Sequence, residues 1–379
     1  MSILPKVRNI IFLLLVAGGL WHFYGETFKQ FGVQGVFEDI RSDVNGIKEN
    51  PEVMAAFETL NKEFQLLISE LTDQLSDKEQ PIQKNVEKPT LDSPSEQSFS
   101  VHNVELGDDR SEVEGKVGTH KRSSLNEYGV NWVTYHDNYQ NFFMVAYNQQ
   151  NKVSGLYTNQ DLVSSTKDIT FKSSRDIVLS KLNEPLKSIR KGLVSYQIQN
   201  NQEYDTFLID NHFVTIFYDK HENKTVTAIQ IISDELEKQK AEYFTDPSEE
   251  LKEGFEYQLF DLTNAARVNH GLSILSWEES VRETARNHSK DMADNNYFNH
   301  TNLEGQSPFD RMKEDDIAFR IAGENLATGQ LSSIFAHEGL MNSLGHRENI
   351  LQSGFESLGV GVAFNEESRP YYTENFLTQ

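Results

Sequence analysis

The chain has 379 residues, no cysteine, and 58 acidic against 35 basic residues, giving a formal charge of −23. That length exceeds one typical domain and points to two or three units. Without cysteine no disulfide, thiolate nucleophile or thiolate metal site can form. The acidic balance excludes nucleic acid as a partner, because binding a phosphate backbone needs a basic face.

Lys6 and Arg8 precede an uncharged run from Asn9 to Gly25, with Trp21, Phe23 and Tyr24 where an interfacial aromatic belt would sit. The run is short beside the roughly 17–25 residues of a spanning helix. Residues 1–25 read as a signal anchor, a single transmembrane helix at the cell membrane, with the bulk of the chain extracellular. The rival is a cleaved signal peptide, since Ala17-Gly18-Gly19 offers a small-x-small site and would release a secreted protein. Both readings give export.

Residues 26–75 form a juxtamembrane helical region, with Asn50 and Pro51 as a start signal. Val53, Phe57, Leu60, Phe64, Leu67 and Leu71 alternate steps of four and three. Such a heptad seam suits a homodimer through residues 53–71, or a stripe packed on the protein's own surface. Residues 76–100, rich in Ser, Glu, Lys and Gln with three prolines, hold too little apolar surface to offset ordering entropy and read as a disordered linker.

Residues 101–236 carry an internal repeat. Leu106-Gly-Asp-Asp-Arg110-Ser-Glu-Val113 answers Phe171-Lys-Ser-Ser-Arg175-Asp-Ile-Val178. Each helix-like opening leads into runs of period two: Trp132–Tyr135, Phe142–Tyr147 and Val153–Tyr157, then Leu193–Tyr196, Thr206–Ile209, His212–Tyr218 and Val226–Ile231. The spacing predicts a helix and an antiparallel meander from each half. His102, His120, His136, His212 and His221 lack metal-ligand spacing and read as surface or packing histidines. This region resembles the CAP-associated N-terminal domain that precedes bacterial CAP domains. Residues 237–248 read as a charged connector.

Residues 251–379 begin with a helix whose apolar face includes Phe255, Leu259, Leu262 and Ala266, ending at His270-Gly271. Ser276-Trp-Glu-Glu279 reads as a capping box for the next helix, which carries Val281, Ala285, His288 and Met292 on one face. Leu358–Phe364 and Tyr371–Phe376 read as a strand hairpin. The pattern predicts an α+β fold, an antiparallel sheet flanked by helices.

Three segments in this region carry the candidate site: Tyr297-Phe-Asn-His300-Thr, Ala322-Gly-Glu324-Asn-Leu and Asn342-Ser-Leu-Gly-His346-Arg-Glu-Asn-Ile-Leu351. Their order and spacing resemble the CAP superfamily, also called SCP-like. That resemblance implies an α-β-α sandwich whose central cleft holds His300, Glu324 and His346. Eukaryotic members place a further glutamate three residues after a tryptophan; here Leu340 and Ser343 stand at those positions, so Ser343 fills the fourth cleft position. His288 falls on an apolar helix face and reads as a packing histidine, and Arg347 and Asn349 as fasteners of the His346 segment, which is expected to be a loop.

His300 and His346 could hold zinc with Glu324 and water, or capture metal weakly, since two histidines lack a third strong ligand. Only one carboxylate is secure, so the acid and base roles cannot be split between two. The expectation is a non-enzymatic binding module of the cell envelope, its cleft taking a small molecule, lipid, peptide or cell-wall ligand. The alternative is a metal-assisted, peptidase-like hydrolase at the cell surface.

Overall fold

The computed structural model of the protein describes residues 86–191, 194–198, 201–240 and 242–379. The anchor, the helical region with its 53–71 seam and the first part of the linker lie outside the described residues. Among the described residues no helix is long and apolar enough to cross a membrane.

The two arginines paired by the repeat open matching helices, α1 (Arg110–Val117) and α2 (Arg175–Lys181). Val113 and Val178 sit at the same step in each and are both buried. After α1 come β2 (Arg122–Leu125), β3 (Asn131–Asp137), β4 (Gln140–Tyr147) and β5 (Val153–Thr158); β1 (Phe99–Val101) and β6 (Val163–Ser165) form a separate pair. After α2 come the hairpin β7 (Ser188–Lys191) and β8 (Val194–Gln197), then β9 (Tyr204–Ile209), β10 (His212–Asp219) and β11 (Thr225–Ser233). The two meanders merge into one seven-stranded sheet, ordered β2-β3-β4-β5-β11-β10-β9. Its centre is the antiparallel pair β5–β11, where Ile231 faces Leu156. Alternation gives the sheet two buried faces. Val133, Val145, Leu156, Val214 and Ile229 pack under α1 and α2, while Trp132, Met144, Tyr157, Phe217 and Ile232 face the C-terminal domain.

The disordered reading of residues 76–100 does not hold for its second part. Residues 86–98 lie against the sheet domain without regular structure, bend at 95–98, and lead directly into β1. A single carboxylate holds much of this stretch: Glu105 accepts from the backbone amides of Ser95, Glu96 and Gln97. Gln140 accepts from the Val86 amide, and Asn141 donates to the Glu87 carbonyl, both at 2.9 Å. Backbone hydrogen bonds order a segment that has no core of its own. The connector is corrected too. Its start is α3 (Asp234–Gln239), capped by Ser233, with Glu237 paired to Lys191 at 2.7 Å.

The C-terminal domain opens with α4 (Glu249–Asn269), ending at His270 with Gly271 at φ 73°. The capping box predicted at Ser276 is absent. Ser276–Trp277 is instead β12, pairing in parallel with β14 (Ser357–Phe364), and Glu279 accepts from the Trp277 indole. The next helix, α5 (Glu279–Asn295), has no side-chain cap. There follow α6 (Pro308–Glu314), β13 (Ile321–Thr328), α7 (Ser333–Asn342), α8 (Leu344–Ile350) and β15 (Pro370–Thr378). The sheet runs β12-β14-β15-β13. Leu358, Val360, Val362, Tyr372 and Phe376 pack with α4, α7 and α8; Leu326, Ala363, Tyr371 and Leu377 pack with α5 and α6 on the other face. Three layers result, helix, sheet, helix, as the pattern predicted.

The two domains are closely joined. An ideal Cβ on Gly254 of α4 would lie 2.1 Å from the Leu125 carbonyl oxygen of β2, so only glycine permits this approach. Asp261 of α4 accepts from Arg122 and from the Tyr139 hydroxyl, both at 2.9 Å.

Candidate functional site

His300 lies in the loop after α5, as predicted. The helix stops at Asn296, which takes the left-handed conformation with φ 53°. The loop is then tied back by His288, whose Nε2 lies 2.9 Å from the Asn299 carbonyl. His288 is buried and burial lowers its pKa, which fits the packing role read from the sequence.

Glu324 sits on β13, buried between two cationic or hydrogen-bonding neighbours. Its Oε1 is 2.9 Å from His300 Nδ1, and its Oε2 accepts from Arg311 Nη2 at 2.6 Å. Arg311 also donates to the His300 carbonyl at 2.8 Å, so one guanidinium fixes both residues. The preceding Gly323 lets Asn349 approach: a Cβ there would fall 3.1 Å from the Asn349 side-chain oxygen, and Asn349 donates to the Glu324 carbonyl at 3.2 Å.

His346 is not on a loop. It lies inside α8, which starts at Leu344 immediately after Ser343 ends α7. Gly345, in the segment expected to be a loop, is the second residue of this new helix. Asn325, next to Glu324, donates to the His346 carbonyl at 3.1 Å and so ties the two motifs together. Burial and then the nearby His300 push the His346 imidazole down to about 4, leaving it neutral at neutral pH. Ser343 is half-buried at the junction of α7 and α8, and no hydrogen bond joins it to His346. The same Asn325 amide donates to Glu374, which Thr263 also meets; burial pushes that carboxyl up to about 7.

Arg311 is the residue the sequence reading missed. Its helix was legible, because Ser307-Pro308-Phe309-Asp310 is a capping box with proline at the start, and both box bonds form. Its partner, 13 residues away on a strand, had no local signal.

Glu324 does not fit the role of a free zinc ligand in this arrangement. Glu324 turns one oxygen to His300 and the other to a guanidinium, a cation where zinc would need a bare carboxylate. Among the described residues no three His, Cys, Asp or Glu side chains form a group able to hold a metal ion.

Arg347 and Asn349 are fasteners, as predicted, but Arg347 reaches the other domain: its Nη1 pairs with Asp219 at 2.9 Å. Asn342, one residue before Ser343, accepts from the Lys220 amide and donates to the Tyr218 carbonyl, both at 2.9 Å. The β10–β11 turn therefore grips the segment that carries Ser343 and His346.

Residues 106–243 match the family model for the CAP-associated N-terminal domain, and residues 260–376 match that of the cysteine-rich secretory protein family, the CAP domain. The chain belongs to the CAP superfamily. It is 29% identical over 290 residues to the uncharacterized membrane protein YlbC of Bacillus subtilis (strain 168), covering 72% of this chain and 82% of that protein. The uncharacterized protein YkwD of the same organism is 42% identical over 123 residues, 32% of this chain and 47% of that protein. An extracellular protein containing a SCP domain from Bacillus anthracis str. Ames matches in structure with a TM-score of 0.63 at 27% identity, over 79% of this chain and all of that one. A cysteine-rich secretory protein from Staphylococcus aureus Mu50 shares the fold with a TM-score of 0.59 at 14% identity, over 76% and 95%. The CAP domain and the sheet domain before it thus recur together in these structures.

Proposed function

We propose that this protein is a non-enzymatic binding module of the bacterial cell envelope, held to the membrane by residues 1–25 and using the His300/Glu324/His346 cleft to hold its ligand. The observation that carries this reading is the clamped Glu324 carboxylate. Both its oxygens are engaged, by His300 and Arg311, so its fixed task is to hold those two side chains and part of its acceptor capacity is already used. Ser343 supplies no second carboxylate, and its hydroxyl is not aligned on His346 for nucleophilic attack. What remains is a neutral imidazole and a partly exposed imidazole, with the exposed apolar side chains Phe298, Leu303 and Leu344 within three residues of the histidines in the chain. Exposed apolar groups beside a few fixed polar ones suit binding. The outward, membrane-attached placement is supported by the positive-then-apolar N-terminus and by the names of the relatives, one a membrane protein and one extracellular.

The test incubates the full chain with a peptide library and with cell-envelope extract, following both turnover and retention. Retained molecules that are lost in His346→Ala, with no turnover, support the reading. Turnover that disappears in Glu324→Gln overturns it in favour of the hydrolase. Arg311→Ala is expected to destabilise the fold by about 3–5 kcal/mol in urea unfolding, because it strips a buried carboxylate of its charge partner.

A further inference from the structure

On the face that meets the CAP domain, β9–β11 carry a polar row. Thr206 pairs with Thr215 across the ladder, and Thr215 pairs with Gln230. The two threonine hydroxyls bond each other at 3.0 Å. Gln230 is 2% exposed, and its amide nitrogen has no hydrogen-bond partner. A buried amide left unpaired opposes folding and is removed where nothing uses it. Here it lines a small cleft of about 70 Å3, open to solvent and walled by Tyr128, Tyr196, Tyr204, Phe213, Tyr243 and Phe335. Tyr204 meets Phe335 edge-on at 5.1 Å, and Tyr196 packs on Tyr243 at 5.7 Å.

The charges in the walls cancel internally. Lys191 pairs with Glu237 at 2.7 Å and also donates to the carbonyls of Glu237 and Lys240. Lys240 is buried beside Glu127 and Glu237. Glu242, exposed at the rim, is the remaining charge. Among the described residues that line the cleft, no cation is left over for a phosphate or carboxylate ligand. A peptide added as a strand is disfavoured as well, because the Leu186 amide already donates to the Thr206 carbonyl on the edge strand.

We propose that this cleft binds a short, neutral N-acetylated sugar. The aromatic walls stack on the apolar C–H faces of the pyranose rings, and the acetamido carbonyl accepts from the Gln230 amide. The ring hydroxyls exchange hydrogen bonds with Thr206 and Thr215. The proposal concerns the CAP-associated domain and does not depend on the His300 cleft.

The test is calorimetric titration of the full chain with the N-acetylglucosamine trimer, the glucose trimer and an N-acetylated tripeptide amide. Saturable binding of the acetylated sugar is expected. Gln230→Leu should weaken it about tenfold, the factor one lost hydrogen bond supplies, with a Tm equal to or above that of the parent. Tyr196→Ala, which removes a wall on the β7–β8 hairpin, should weaken it as well. His300→Ala should leave it unchanged, which separates this site from the CAP cleft. Lack of saturation by the acetylated sugar, equal binding of the glucose trimer, tighter binding of the peptide, or unchanged affinity in Gln230→Leu would each overturn the proposal.

Discussion

Toward the CAP domain, β3–β5 present Trp132, Phe142, Met144, Ala146 and Tyr157, whereas β9–β11 add Phe217, Ala228 and Ile232 to that cluster and present Thr206, Phe213, Thr215 and Gln230 beside it. The first set is roofed by Leu262 and Ala265 of α4 and Ile334 of α7. Gln160 and Asn159, just past β5, close that joint by donating to the carbonyls of Ala265 and Leu262. Thr206, Phe213, Thr215 and Gln230 share their cleft with Leu331 and Phe335 of the CAP domain, while Phe217 of the same half packs on Phe335 and the β10–β11 turn reaches Asn342 and Arg347. Of two halves with the same backbone plan, the first has thus given its whole outward face to the interface and the second has divided it. Where the outward positions are apolar the face became a domain interface, and where they are polar it stayed open as a cleft.

The largest expected effect tests the roofed half. Trp132 is fully buried between sheet and CAP domain. Trp132→Ala should cost about 3–5 kcal/mol by denaturant unfolding. Because its cluster spans both domains, they should still unfold in one transition in the parent. Two separated transitions there, or a loss below about 1 kcal/mol in the variant, would show that this interface does not hold the domains together.

A smaller effect comes from Glu338 of α7, which accepts from the Tyr157 hydroxyl at 2.6 Å across the same joint. Burial pushes its carboxyl up to about 7. The folded state therefore keeps this proton after the unfolded chain has released it, so the group's contribution to stability falls as pH rises from about 4.5 to about 7. Glu338→Gln keeps the acceptor and cannot ionise. It should match the parent near pH 4.5 and exceed it at pH 8, by an amount on the order of 2 kcal/mol. A stability difference that stays flat with pH would remove the joint from the list of pH-sensitive contacts.

Features whose cause is local were legible in the sequence. The repeated arginines with valines three residues on, the strand run Leu358–Phe364 and the His300 loop all depend on neighbouring residues, and each is found where it was expected. Long-range pairing was not legible. The Arg311–Glu324 clamp and the Asp219–Arg347 bridge join residues far apart in the chain, and neither has a spacing to announce it. Ser276 shows the same limit in reverse: a valid capping signal lost to strand pairing with β14. Polar composition made residues 86–98 look like free tether, but composition reports the lack of a core and says nothing of carboxylates such as Glu105 that bind backbone. The site residues came from motif order, and their hydrogen-bond state came only from the fold.

The smallest effect bears most directly on the contrast between the halves. Phe142 on β4 and Phe213 on β10 sit on the same face of the sheet, each on the middle strand of its meander. Phe142 is fully buried; Phe213 is half-buried and lines the cleft. Truncating Phe142 to alanine leaves a closed cavity under α4, which the surroundings cannot fill, so the loss belongs to the core range. Truncating Phe213 enlarges a space already open to solvent, so water enters and no sealed void forms. Phe213→Ala should therefore cost about 1 kcal/mol. Equilibrium urea unfolding of the two variants side by side decides the matter. Equal losses would mean that the second face is as tightly packed as the first, and that the polar row of Thr206, Thr215 and Gln230 lies inside a core rather than on the floor of a cleft.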